Sequence, residues 1–236
     1  MIKGIFQAAK NLQIGEKQIS VISNNLANMG TTGYKKELPF YQVLEEEGTR
    51  ITKQVTDFSA GEQLFTGNPL DLALKGDAYF RVQTNDGERL TRDGQLTISD
   101  DGFLTNRKGD KILGEGGLIN LKDVMTNDNS RVTVTLEGVV MVGEKIVDKL
   151  MIMKGGEESR LIKDYEVYFK SNDGEYNQVD TEDYEIAQGF LESSNVSPIN
   201  EMESMISLSK NYESAKNILT YLDESLEKAN QIGKVF

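Results

Sequence analysis

The chain has 236 residues, and its 26 Lys and Arg against 38 Asp and Glu leave a formal charge of -12. So acidic a chain repels nucleic-acid phosphates, and it lacks the clustered basic residues of a membrane-surface helix. It has no Cys and no His, which excludes thiol nucleophiles, disulfides, the usual zinc sites and imidazole bases.

With 38% hydrophobic and 27% charged residues, the length suits one substantial domain with extended elements, or two small domains. No apolar run approaches the roughly 20 residues of a membrane span. The stretch Met1–Lys17 has scattered charges and no continuous apolar core, so it does not read as a cleavable secretory signal.

From Ile2 to about Asn28 the spacing predicts a helix. Ile5, Leu12, Ile19 and Leu26 recur every seven residues, and Ala8, Gly15 and Ile22 follow three places behind the first three. Two such rows make the a/d seam by which one helix packs on another. Ala8 and Gly15 bury little, so this seam is weak. The helix should stop near Asn28-Met29-Gly30, with Gly33 as a second breaker.

From about Thr49 to Gln188 short apolar runs alternate with Gly-containing turns. Tyr79–Val82, Gln95–Ile98 and Arg131–Leu136 read as strands. Asp86-Gly87, Asp93-Gly94, Asp101-Gly102 and Asp173-Gly174 read as hairpin turns, because Gly accepts positive φ and Asp tolerates the left-handed region. A mainly antiparallel β domain is expected.

From Ser197 to about Ile232 helical spacing returns. Ser197 suits an N-cap and Pro198 the first turn. Met205, Tyr212, Leu219 and Leu226 are spaced by seven, and Leu208, Ala215, Leu222 and Ala229 follow three behind. This is the clearest periodicity in the chain. The predicted class is therefore α+β, with helices at both ends of a central β domain. The pattern leaves two partners open for the helices: each other, as a coiled coil, or the β domain.

Several sequence blocks resemble the flagellar rod and hook proteins. Ile22–Asn28, with Asn24, Asn25 and Asn28, is followed by Thr31-Thr32-Gly33-Tyr34-Lys35. Thr66-Gly67-Asn68-Pro69-Leu70-Asp71 leads through Leu72–Leu74 to Gly76-Asp77 and Tyr79-Phe80. Leu90–Gly94, Gly102–Thr105 and Gly189–Val196, which includes Asn195, continue the series; Glu201-Met202, Met205-Ile206 and Tyr212-Glu213 close it. The blocks keep the family's order and reach both ends, whereas Val124–Asp180 matches loosely.

The resemblance implies a coiled-coil core domain from 1–35 with 197–236, and a β-rich outer domain from 36–196. It implies helical stacking of subunits around an export channel and delivery by the flagellar type III apparatus with an uncleaved N-terminal signal. Partners would be further copies and other rod proteins, in the basal body and the periplasm, with no cofactor. Terminal segments in this family order on incorporation, as coupled folding and association requires. The expected assembly residues are Ile5, Leu12, Ile19 and Leu26 against Met205, Leu208, Tyr212, Leu219, Leu222 and Leu226. Ala78 stands where the family has Gly, which asks that backbone to avoid positive φ, and Gly30 replaces an Asn. The short segment between Tyr34 and Gly61, and an end at Phe236 soon after the helix, favour the proximal, F-type branch over the distal, G-type one.

Plainer readings exist for each feature. The Asn cluster can serve helix termination, Asn68-Pro69 a turn, Tyr212 packing, and Glu45-Glu46-Glu47 a solvated charge run. Abundant acids could supply a glycosidase pair, but no spacing singles one out. Gly114–Gly117 precedes no helix, so it is no dinucleotide loop, and Asp100–Gly102 and Asn127–Asn129 lack an EF-hand pattern. The alternatives are a distal rod or hook-type subunit, and a cell-surface or periplasmic binding module; the module leaves the matching seams at both ends unexplained.

Overall fold

The structure, a computed structural model, describes residues 2–44, 49–125, 131–154, 161–171 and 176–233. Glu45–Glu47, Asn127–Asn129, Asp173-Gly174 and Phe236 lie outside the described residues. Ile5 and Ala229 are described only by their helical backbone.

Helix α1 spans Ile2–Ala27 and α2 spans Pro198–Gly233. At the end of α1 the Asn28 amide donates to the carbonyls of Asn24 and Asn25, at 3.1 and 3.2 Å. Its side-chain Nδ2 also donates to Asn24 O at 2.9 Å, a second bond to the same carbonyl that ties the asparagine down at the helix end. At the start of α2 the Ser197 carbonyl accepts the Glu201 amide at 3.0 Å, the first helical bond after an N-cap, with Pro198 placed where a missing N–H costs nothing.

Strand pairing begins at Glu37, earlier than the composition suggests. The strands in chain order are β1 (Glu37–Leu44), β2 (Thr49–Thr56), β3 (Gln63–Phe65), β4 (Leu72–Lys75), β5 (Tyr79–Thr84), β6 (Gly87–Thr91), β7 (Leu96–Ile98), β8 (Leu104–Asn106), β9 (Lys111–Gly114) and β10 (Gly117–Leu118). They continue with β11 (Val132–Val134), β12 (Val139–Val142), β13 (Lys145–Lys149), β14 (Ile152–Lys154), β15 (Leu161–Tyr165), β16 (Tyr168–Ser171), β17 (Asn177–Gln178), β18 (Glu185–Gln188) and β19 (Phe190–Glu192). Among the described residues the largest sheet has the path β15-β16-β6-β5-β9-β8-β7, with β10 on β9 and β14 between β5 and β17. Strands β11 to β13 form a meander, and β1–β2, β4–β18 and β3–β19 are two-stranded.

The described pairs are antiparallel, so the molecule is α+β with a mainly antiparallel β domain. Asp86-Gly87 closes the β5–β6 hairpin and Asp101-Gly102 the β7–β8 hairpin. Asp93-Gly94 does not close one: β6 pairs with β5 and β16, while β7 pairs with β8. An Asp-Gly step marks a reversal but does not say which strands then meet. Ala78 avoids positive φ, as its Cβ requires.

The chain forms two compact units. One is Met1–Met29, Glu37–Asp57 and Val196–Phe236; the other is Gly30–Lys36 and Phe58–Asn195. In the second unit Tyr79, Leu90, Met153, Leu161 and Phe169 form a buried cluster lined by Phe58, Met151 and Tyr176. The Phe169 ring lies 5.6 Å from Tyr79, edge-on, and 5.5 Å from Phe58, the offset geometry aromatic quadrupoles favour.

On the same sheet Asp164 accepts bonds from Lys170 Nζ at 2.5 Å and Arg89 Nε at 2.7 Å. These bonds, that of Lys170 foremost, hold the Asp164 carboxyl below its ordinary range. A depressed acid stabilises the fold above its unfolded pKa of about 3.9 and loses that contribution as pH falls through the folded value. Asp164→Asn is therefore expected to lower stability at pH 7 by about 1 kcal/mol. Urea unfolding against pH should show the gap closing in acid; a constant gap would assign the loss to packing.

Candidate functional site

Residues from three motif blocks meet at a buried ion cluster in the second unit. Glu192, on β19, is 2% exposed, Lys35 0% and Arg92 3%. Lys35 Nζ donates to Glu192 Oε1 at 2.7 Å, and Arg92 Nη1 to Glu192 Oε2 at 3.3 Å. The Gly61 amide adds a third bond to Oε1 at 3.0 Å. Lys35 also donates to Ser59 O at 2.6 Å and Arg92 Nη2 to Gly76 O at 2.7 Å. The Arg92 guanidinium lies 4.6 Å from the centre of the Tyr79 ring, and burial pushes the Tyr79 hydroxyl well above its usual range. Asp77 stands at the rim, 4.0 Å from Arg92. Charges this deep persist only when each is paired and bonded.

Neighbouring motif residues fasten the strands around this cluster. The Gly33 amide donates to Glu192 O at 2.9 Å. Gly33 has φ +67°, and a Cβ there would stand 2.4 Å from the Asp93 nitrogen, so only glycine fits. Thr32 Oγ1 donates to Asp93 Oδ1 at 2.6 Å; burial raises the Asp93 pKa, partly offset by this bond. Tyr34 is buried, with Lys163 Nζ 3.7 Å from the centre of its ring. Asn195 Oδ1 accepts the Lys36 amide at 2.7 Å, and its Nδ2 donates to Ser59 O at 3.1 Å.

Gly67, Asn68 and Pro69 form a turn. Asn68 Nδ2 donates to Asp71 Oδ1 at 3.0 Å and Asn68 Oδ1 accepts the Leu70 amide at 3.2 Å. The Gly67 amide donates to Gly189 O at 3.1 Å.

The first unit holds the remaining residues. Asn25 is fully buried. Its Nδ2 donates to Glu37 O at 2.8 Å and its Oδ1 accepts the Glu37 amide at 3.0 Å, so the side chain mimics a strand partner for the start of β1. The same Nδ2 reaches Glu201 Oε2, on α2, at 3.3 Å. Asn24 is exposed. Farther along, Tyr212 donates to Glu16 Oε1 at 3.0 Å.

From Met205 to Leu226 the partly buried side chains are Met205, Leu208, Tyr212, Ala215, Leu219, Leu222 and Leu226, and those between them are exposed. On α1, Ala8, Leu12, Gly15, Ile19 and Leu26 are partly buried and Ile22 is buried. A second row on α1, Ile14, Gln18, Val21 and Asn25, is covered as well.

Sequence spacing does not mark Lys35, Arg92, Glu192, Glu16 or Glu201 as site residues. A charged side chain in isolation signals solvent, and its burial depends on partners far away in the chain.

Glu192→Gln keeps an acceptor but leaves two buried cations without their shared anion. It is expected to cost about 3–5 kcal/mol, read as a drop in the urea midpoint of the full-length protein. A loss below about 1 kcal/mol would mean that the cluster is hydrated.

Comparison with known proteins follows the same blocks. Residues 10–35 match the family described as flagella basal body rod protein, residues 73–142 the flagellar hook protein FlgE/F/G D1 domain, and residues 187–232 the flagellar basal body rod FlgEFG protein C-terminal. The chain is 31% identical to the flagellar basal-body rod protein FlgF of Caulobacter vibrioides, over 93% of each chain. It is 31% identical to FlgF of Rhizobium meliloti over 97% of each. To FlgG of Buchnera aphidicola from Acyrthosiphon pisum it is 27% identical, over 98% of this chain and all of the relative. With relatives at 31% identity that match over nearly their whole length, this chain belongs to the flagellar basal-body rod protein family.

Proposed function

We propose that the chain is an F-type subunit of the proximal rod, a structural protein that assembles through its terminal helices and performs no catalysis. The periodic burial of α2 carries this reading. A seven-residue pattern of partial cover, with exposed residues between, is what a helix–helix seam leaves on a single chain. The interface residues are Leu12, Ile19 and Leu26 with Met205, Leu208, Tyr212, Leu219, Leu222 and Leu226, and Ile5 extends the row by its spacing. Partial rather than full burial leaves apolar surface for neighbouring subunits to cover.

In this reading segments 1–35 and 197–236 form the coiled-coil core and 36–196 the outer domain. The subunit leaves the cytoplasm through the flagellar type III apparatus, works in the periplasmic basal body, and meets other rod proteins there. Torque passes through many small seam contacts, while the β-rich unit sets the spacing of neighbours. FlgF as the name of the relatives matched at 31% identity supports the F-type assignment.

Leu219→Asp places a carboxylate in the seam, where burial without a partner is costly. Cells carrying it are expected to lose rods, while the purified variant keeps the β-sheet circular dichroism of the parent. Normal rods would refute the seam. Electron cryotomography of a deletion strain tests the position: motors should lack the rod or stop near the inner membrane. A surviving proximal stub would point to the distal type, and complete motors to a binding module instead.

A further inference from the structure

Heptad spacing leaves the alignment of the two helices undetermined. Seam residues recur every seven on both, so sliding α2 along α1 by one heptad again sets apolar side chains against apolar side chains. Contacts of another kind distinguish the alignments. Near one end Asn25 Nδ2 meets Glu201 Oε2 at 3.3 Å. Farther along, Tyr212 bonds Glu16 at 3.0 Å, and its Cδ2 lies 3.6 Å from where a Cβ of Gly15 would stand. Moving up α1 from Gly15 to Asn25 corresponds to moving down α2 from Tyr212 to Glu201 over a near-equal length, so these contacts report one antiparallel alignment.

The Asn25 amide is suited to select it. The Glu37 N–H must be met by Oδ1, so the NH2 faces Glu37 O and Glu201 together. Both Asn25 and Glu201 are buried, at 0% and 4% exposure. A slip of one heptad one way replaces Glu201 by Leu208, and a buried N–H then loses this acceptor; a slip the other way carries Asn25 past the start of α2 at Pro198. The same slip sets Gly15, where no side chain competes with the Tyr212 ring, against Leu219 or Met205. A single buried polar residue that fixes register adds little to stability; its effect is to make the alternatives worse.

We infer that Asn25, acting with Glu201, is the register-setting residue of the helix pair: a positioning residue that aligns the seam for assembly. The inference rests on the pairing proposed above. Because the chain has no cysteine, disulfide trapping in the full-length protein reads the alignment directly. Leu12→Cys with Ala215→Cys tests the observed register, and Leu12→Cys with Leu208→Cys or Leu222→Cys tests the two slips. Each pair is made with Asn25 and with Asn25→Leu; Glu201→Leu, which leaves the Asn25–Glu37 bonds in place, repeats the test if Asn25→Leu does not fold. With Asn25 present, the observed-register pair should trap at least tenfold more than either slip. In the Leu variants trapping should redistribute to a slipped pair, whereas a merely structural loss would lower all pairs together. Trapping confined to the observed register in the Leu variants would overturn the inference and leave the pairing intact. No trapping at any pair in the parent would overturn the pairing, and the inference with it.

Discussion

A single carboxylate holds the β-rich unit to its motif-bearing segments. Glu192 is shared by Lys35, Arg92 and the Gly61 amide, and each of those groups comes from a different part of the chain. Removing the anion would strand two cations in a medium that solvates them poorly. The glycines around it follow from the same constraint: Gly33 must pass close to the Arg92–Asp93 backbone, so that position has no room for a Cβ. The blocks that hold Lys35, Arg92 and Glu192 thus share a physical reason for their composition, since they supply the contents of one buried junction.

The first unit is organised differently. Its helices carry broad, partly covered apolar rows, and its one fully buried amide, among the described residues, is Asn25. Apolar rows supply attraction without direction, while the amide supplies direction with little net attraction. That division suits a subunit whose partners must be many and whose alignment must be single. The β-rich unit, with its aromatic cluster around Phe169, does not need such partners to bury its core.

Both helices are legible in the sequence because an apolar period of seven over several turns fits a helix and no strand. Their ends are legible in Asn28 and Ser197-Pro198. Tight turns such as Asp86-Gly87 can be read from local chemistry. The start of β1 cannot: Glu37-Leu38-Pro39 reads as linker, and a proline inside a run ordinarily argues against a strand. The strands joined by Asp93-Gly94 part to different neighbours, β6 to β5 and distant β16, and β7 to the following β8, which the turn itself does not set. The ion cluster is least legible. Lys35, Arg92 and Glu192 each stand within a recognised block, yet nothing local distinguishes a buried lysine from a solvated one. The proposed seam residues announce themselves by spacing; Glu201, which bonds Asn25 across the helices, has no periodic signature.

The distance along the chain between Lys35 and Glu192 also has a temporal meaning. They are separated by 157 positions, and a polypeptide appears N-terminus first. At synthesis rates of about 5–20 residues per second, Lys35 and Arg92 wait on the order of ten seconds for their counter-ion. Until then β3 and β4 also lack β19 and β18, their partners from the far end of the chain. The topology therefore delays its own closure: the strands that complete the junction are the last of the β-rich unit to be made.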